Sequence, residues 1–271
     1  MKKHLRIVLS LVVAAMMAGP AFAKTFATLP EGIAYPEGIA MNPSSGDIYV
    51  STFSFEGNNT LLRYDKKGNL RAQIDFSTTP LLGLAFNPAD NKVYICNTGD
   101  LVGDTLGSRI QRVDAKFEGE VEEVIAIPHP GAPGERTVVN PDTSEDKIVF
   151  GNYAAAPNAM VFDSAGNLYV SDSFQGAIFK IEDVANVKIP EINTIAHDSL
   201  LATAGFPPFG ANGLAIDEEH NILYIANTGD DRVLSLKLAD GEITIFAESI
   251  NGADGLAMDD DGYLWVAANQ A

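Results

Sequence analysis

Four oxygen-bearing side chains, Glu37, Asn158, Asn212 and Asp254, each open a similar short stretch: "EGIAM", "NAMVF", "NGLAI" and "DGLAM". "GANGLA", Gly210 to Ala215, and "GADGLA", Gly252 to Ala257, differ only where Asn212 is replaced by Asp254. The small and apolar residues are held while the polar one changes. Two carboxylates and two amides suit a hard divalent cation, Ca²⁺ above Mg²⁺ or Mn²⁺, and the absence of His and Cys from the set argues against zinc. Their formal charge of about minus two balances one such ion, and a cation that takes about 6 to 8 oxygens keeps room for water or substrate. Taken singly, an Asn or Asp ahead of Gly is an ordinary turn residue. The case therefore rests on all four sharing one register.

That register belongs to a repeat. Five segments align: "EGIAMNPSSGDIYVST" from Glu37, "LGLAFNPADNKVYICNT" from Leu82, "NAMVFDSAGNLYVSDS" from Asn158, "NGLAIDEEHNILYIANT" from Asn212 and "DGLAMDDDGYLWVAAN" from Asp254. Each reads as two short strands around a turn rich in Asp, Asn and Gly, with an aromatic in a fixed place: Tyr49, Tyr94, Tyr169, Tyr224 or Trp265. A third strand follows in "TLLRYDKKGN", "SRIQRVDAKF", "GAIFKIEDVA" and "RVLSLKLADG", and a fourth in "LRAQIDFS", "EVEEVIAIP" and "EITIFAES". Four antiparallel strands recurring at roughly 40 to 55 residues predict an all-β fold, a β-propeller of four-stranded blades. A β-sandwich would not explain one hairpin motif repeating in one register. The longer gap from Leu82 to Asn158 holds the Gly- and Pro-rich "PHPGAPGERTVVNPDTSEDKIVFGNYAAAP", read as a long loop between blades.

Five blades are visible, and the chain stops at "WVAANQA", just after the second strand of the fifth, which reads as a C-terminally truncated propeller. The opening "KTFATLP" is expected to supply an outer strand to the last blade. In such a fold the first strand of each blade lines the central channel. Equivalent positions then converge on the axis at one face, so each blade offers one side chain to a shared centre while Gly permits close approach of the backbones.

The stretches "PEGIA", "PNAMVFDSAGNLYVSDS", "NGLAID" and "DGLAMDDDGYLWVA" resemble the regucalcin/gluconolactonase (senescence marker protein-like) family, with paraoxonases and diisopropyl fluorophosphatase as more distant relatives. The resemblance implies a six-bladed propeller that holds a catalytic divalent cation, usually Ca²⁺, on its axis through Glu37, Asn158, Asn212 and Asp254. It also implies hydrolysis of a lactone or related ester, with Asp254 as the catalytic carboxylate and Asn158 helping to position substrate. This chain departs from the family by placing Gly38, Ile39 and Met41 where Pro and an aromatic often follow the first Glu, and it has no clear counterpart of the paraoxonase histidine dyad. Tyr153, Phe206, Pro207, Pro208 and Phe209, in the loops leading to Asn158 and Asn212, are expected to wall a substrate pocket. His129 and His197, in or near these loops, are conceivable acid/base groups, whereas His220 sits in a hairpin turn. The rival reading is a non-catalytic propeller similar to NHL-repeat proteins, binding a peptide, glycan or protein partner; a strictosidine synthase-like propeller would lack the complete quartet.

Residues 1–23 read as a secretory signal peptide: Lys2, Lys3 and Arg6 precede an apolar run from Ile7 to Ala18, and "AFA" ends at Ala23. The run is shorter than the roughly 20 residues of a membrane-spanning helix. Residues 24–271 then form one exported domain, expected in a bacterial periplasm. Removing Lys2, Lys3 and Arg6 takes the formal charge from -18 to -21, which makes nucleic acid and anionic lipid poor partners and leaves a small-molecule substrate. The single cysteine, Cys96, has no intramolecular partner, so stability must come from the core.

Overall fold

The computed structural model describes residues 25–99, 107–151 and 154–270. The proposed signal peptide and Tyr153 lie outside these residues. Within them the chain is all β and follows the repeat. Blade one comprises β1 (Pro36–Met41), β2 (Ile48–Thr52), β3 (Asn59–Tyr64) and β4 (Leu70–Ser77), and blade two comprises β5 (Leu81–Asn87), β6 (Lys92–Asn97), β7 (Arg109–Asp114) and β8 (Glu122–Ala126). A hairpin of β9 (Arg136–Val139) and β10 (Glu145–Ile148) intervenes. Blade three is then β11 (Pro157–Phe162), β12 (Leu168–Asp172), β13 (Ala177–Ile181) and β14 (Ile192–His197), and blade four is β15 (Ala211–Asp217), β16 (Ile222–Asn227), β17 (Arg232–Lys237) and β18 (Ile243–Glu248). The inner hairpin of blade five is β19 (Ala253–Met258) and β20 (Leu264–Ala268). Each blade is an antiparallel meander in chain order.

The turn between first and second strands has the same chemistry in every blade. The side-chain oxygen of Asn42, Asn87, Asp163, Asp217 or Asp259 accepts a backbone N–H two or three residues on, so these side chains cap their own turns. Between blades the cores are apolar and shared. Tyr49 stacks on Phe86 of the following blade at 6.2 Å between centroids, and Tyr94 meets Phe162 of the following blade edge-on at 5.2 Å. Trp265, in the same register, is 65% exposed.

Two expectations are corrected. The long connection between blades two and three is not only loop, because β9 and β10 pair in register from Val139↔Glu145 to Arg136↔Ile148. Its anchor is electrostatic: Arg136 Nη1 donates to Asp230 Oδ2 at 2.7 Å, and the guanidinium lies 5.4 Å from the Phe150 ring centroid. Among the described residues the opening segment adds no strand to the last blade. It runs along blade one, where Tyr64 Oη donates to Thr28 O at 3.1 Å and a Cβ at Gly68 would stand 1.9 Å from Phe26 O.

Candidate functional site on the propeller axis

All five inner strands carry a β-bulge at the same place. In blade three, Pro157 pairs with Asp172 and Met160 with Val170, so Asn158 and Ala159 together oppose Ser171. The same shift sets Glu37 and Gly38 against Ser51, Leu82 and Gly83 against Cys96, Asn212 and Gly213 against Ala226, and Asp254 and Gly255 against Ala267. A bulge re-aims the side chain it carries. Here it turns one residue per blade toward the axis, and Glu37, Asn158, Asn212 and Asp254 together line a cavity of 190 Å³. Leu82 is the exception; its side chain packs into the apolar core between blades two and three.

The small residue after each anchor sets how close the blades stand. A Cβ on Gly38 would lie 2.4 Å from Leu82 O, one on Gly83 2.2 Å from Asn158 O, and one on Gly213 2.0 Å from Asp254 O. Opposite the bulge, a serine staples neighbouring blades. Ser51 Oγ accepts Gly38 N at 2.8 Å and donates to Leu82 O at 2.5 Å, while Ser171 Oγ accepts Ala159 N at 2.9 Å and donates to Asn212 O at 2.7 Å. Cys96 occupies this position in blade two, which accounts for its complete burial.

The anchors are held from behind by a polar residue just past the second strand. Asn158 Nδ2 donates to Ser173 Oγ at 2.8 Å and Asn212 Nδ2 to Thr228 Oγ1 at 2.9 Å, and Asn269 Nδ2 donates to Asp254 Oδ2. Engaging the amide nitrogen of Asn158 leaves its carbonyl oxygen as the atom offered to the cavity. Phe53 fills this position in blade one, and among the described residues the Glu37 carboxylate has no hydrogen-bond donor from it.

Two carboxylates in one cavity disturb each other. Glu37 stays open to solvent through the mouth, yet the surrounding protein excludes enough water, with Asp254 adding repulsion, to push its pKa up to about 7. Burial also raises the pKa of Asp254, opposed by hydrogen bonds from Asn269 and Asn212. Both effects are those a cation would relieve. Among the described residues no three His, Cys, Asp or Glu side chains gather to hold a metal ion; the axial set draws half its oxygens from amides, which suits a hard, oxygen-seeking ion.

The other expected site residues fall outside the cavity lining. Phe206 and Phe209 lie in the loop between β14 and β15, with Phe209 stacked on Phe174 at 5.5 Å. His129 Nε2 accepts Ala155 N at 3.1 Å, His197 ends β14 with Nε2 3.2 Å from Gly131 O, and His220 pairs with Asp217 at 2.8 Å in its turn. Sequence reasoning missed Ser173, Thr228 and Asn269 as supports, although each stands four residues after the repeat's aromatic.

Residues 153–271 match the family model described as SMP-30/Gluconolactonase/LRE-like region, a stretch that includes Asn158, Asn212 and Asp254. No curated protein aligns with the chain in sequence. Among solved structures, the X-ray structure of a candidate gluconolactonase superposes with a TM-score of 0.58 at 18% identity, covering 88% of this chain and 73% of the other. A chain of a nidogen/laminin complex superposes with a TM-score of 0.57 at 15% identity, covering 86% and 72%. At these identities the likeness is one of fold, and the fold is the β-propeller.

Proposed function

We propose that the protein is an exported, periplasmic hydrolase of lactones or related esters that holds a divalent cation, Ca²⁺ foremost, between Glu37, Asn158, Asn212 and Asp254. The observation that carries this reading is the meeting of two carboxylates and two back-held amides in one axial cavity. The match of residues 153–271 to the SMP-30/gluconolactonase model supports the lactonase class. When bound, the cation supplies Lewis-acid polarisation of the carbonyl and stabilises the developing oxyanion.

The side chains of this protein then divide the remaining work. Asn158 orients the substrate carbonyl with its amide, which Ser173 prevents from rotating. Asp254, held in place by the amide of Asn269, takes the proton of the attacking water as the new C–O bond forms. It returns that proton to the alkoxide as the ring C–O bond breaks. Direct attack by Asp254 on the carbonyl carbon is the alternative within the same geometry.

The test is calorimetric titration of Ca²⁺ into chelator-treated protein, followed by a lactone and ester screen, with Asp254→Asn alongside. Stoichiometric binding by the wild type and at least a hundredfold loss of turnover in a folded Asp254→Asn are expected. Full activity in that variant would remove Asp254 from the mechanism. A folded wild type that binds no cation would return the four anchors to turn and bulge chemistry and favour a non-catalytic binding propeller.

A further inference from the structure

At the end of the propeller opposite the anchors, an arginine bridges neighbouring blades in two places. Arg63 pairs across its hairpin with Tyr49, and Arg112 with Tyr94. Each guanidinium is held by a carboxylate of its own blade and reaches a carbonyl of the following one. Arg63 meets Asp47 at 2.7 Å and donates to Lys116 O at 3.3 Å; Arg112 meets Asp90 at 3.2 Å and donates to Val184 O at 3.4 Å. Between blades three and four the residue in that register is Lys180, paired with Tyr169. Its Nζ turns back to Glu182 Oε1 at 3.1 Å, and among the described residues no side chain reaches Ala239 O, the counterpart of the two capped carbonyls. Lys116, Val184 and Ala239 correspond because each stands three residues after Val113, Ile181 or Leu236, which pair with the residue preceding the repeat's tyrosine.

Where that arginine is lacking, a groove of 550 Å³ stands between the blades, lined by Tyr169, Lys180, Ile195, Leu236, Leu238 and Ala239 among others. We propose that this groove is a second binding site, and that it takes the arginine side chain of a peptide in the place that Arg63 and Arg112 fill between the other blades. The tyrosine–carboxylate pair that receives Arg112 has its equivalent here. Tyr94 Oη donates to Asp90 Oδ2 at 2.8 Å and accepts Arg112 Nη1 at 3.0 Å, while Tyr169 Oη donates to Asp163 Oδ2 at 3.2 Å, with no arginine beside it among the described residues.

Charge selects a cation. Glu182 and Asp240 line the groove, the Tyr169 hydroxyl stands in the field of Asp163, Glu218 and Glu182, and the two lysines of the lining, Lys180 and Lys237, are each paired with a glutamate. Asp240 holds the register of Phe117, which closes the groove between blades one and two by packing on Tyr49 at 5.9 Å. A guanidinium suits the site better than an ammonium. Its planar fork serves a carboxylate and a backbone carbonyl together, and its face rests on an aromatic ring, as Arg112 does 5.9 Å from the Tyr94 centroid. Volume favours a peptide over a small amine: the groove is of the size that holds a drug-sized ligand, which leaves Ile195, Leu236 and Leu238 to receive the residues flanking the arginine. The groove and the axial cavity share no lining residue, so this site stands or falls apart from the hydrolase reading.

The experiment titrates an end-blocked leucine–arginine–leucine tripeptide, its lysine and citrulline counterparts, and agmatine into wild type, Lys180→Arg and Lys180→Ala by calorimetry. The arginine tripeptide is expected to bind wild type on the order of tenfold more tightly than either counterpart or agmatine. Lys180→Arg gives the groove a guanidinium of its own, as in the two neighbouring grooves, and should lose the peptide while gaining in Tm. Lys180→Ala leaves the groove open and should keep the arginine preference. No binding of the arginine tripeptide, equal binding of its citrulline counterpart, or undiminished binding by a folded Lys180→Arg would overturn the proposal. Agmatine binding as tightly as the tripeptide would overturn the assignment to a peptide.

Discussion

Replacing Gly213 by alanine tests whether contact between inner strands, rather than the anchor side chains alone, sets the geometry of the axial site. The φ of Gly213 is outside the left-handed region, so the added methyl brings no backbone strain of its own and acts only through space. Its Cβ would stand 2.0 Å from Asp254 O, 2.8 Å from Leu256 N and 3.0 Å from Asp254 C. All three are backbone atoms of blade five, with no flexible side chain to swing away. Bringing the closest pair to even a tight contact of 3.0 Å requires β19 to move by 1 Å, and Asp254 moves with it. Overpacking of this kind costs about 1–3 kcal/mol, which at this chain length lowers Tm by roughly 2–4 °C per kcal/mol. A ligand set must be held to within about 0.5 Å, so cation affinity should fall by more than the stability loss alone would suggest. Gly255→Ala is the control, since its Cβ meets only Ala267 Cβ at 3.8 Å. Urea unfolding with Ca²⁺ calorimetry on both variants reads the difference. Equal behaviour of Gly213→Ala and Gly255→Ala, in stability and in affinity, would refute the reasoning.

In chelator, the raised pKa of Glu37 means that the folded state binds more protons than the unfolded state; its contribution to stability is present below about 4.5 and lost as pH rises to about 7. Tm measured across that window should decline in the wild type and decline less in Glu37→Gln. Asp230→Asn leaves the half-buried guanidinium groups of Arg136 and Arg232 without their carboxylate and should cost about 1–3 kcal/mol, read by denaturant unfolding and by faster proteolysis within residues 136–148. Because the pKa of Asp230 is lowered, the ion-pair stabilisation should also fade as pH falls below the ordinary carboxylate range. Ser171→Ala removes the staple on Asn212 O and should cost about 1–3 kcal/mol, whereas Cys96→Ser, which installs the same hydroxyl in blade two, should change stability by less than about 1 kcal/mol in the same assay.

The blade repeat was legible because every blade solves one packing problem, so Tyr49, Tyr94 and Tyr169 recur in register and each is buried. The four anchors were legible for the complementary reason, as polar residues that vary where the packing residues do not. Sequence alone could not separate them from turn residues of the same types. The structure does so by position: Asn42, Asp163, Asp217 and Asp259 spend their side chains on their own turns, five residues after the anchors that stand in bulges. A bulge leaves little mark in composition, since its extra residue shows only once the partner strand is in register. The hairpin of β9 and β10 was hidden because its strands are four residues each and mostly exposed, without the apolar alternation that marks a half-buried strand.

The bulge also separates two inheritances that most strands confound. Stability is written in the residues on either side of it, in Gly213 and its contact with Asp254 O, and in Ser171 and its staple. The chemistry offered to the axial cavity is written in the one residue it turns toward the axis. A lineage could therefore exchange Asn for Asp, or a carboxylate for an amide, at one blade without renegotiating how that blade sits beside its neighbours. Leu82 shows the slot given over to core instead, with the bulge retained. A ring of such slots is a register of independently editable positions, and the distance between a metal site, a different metal site and none is a few substitutions on an unchanged frame.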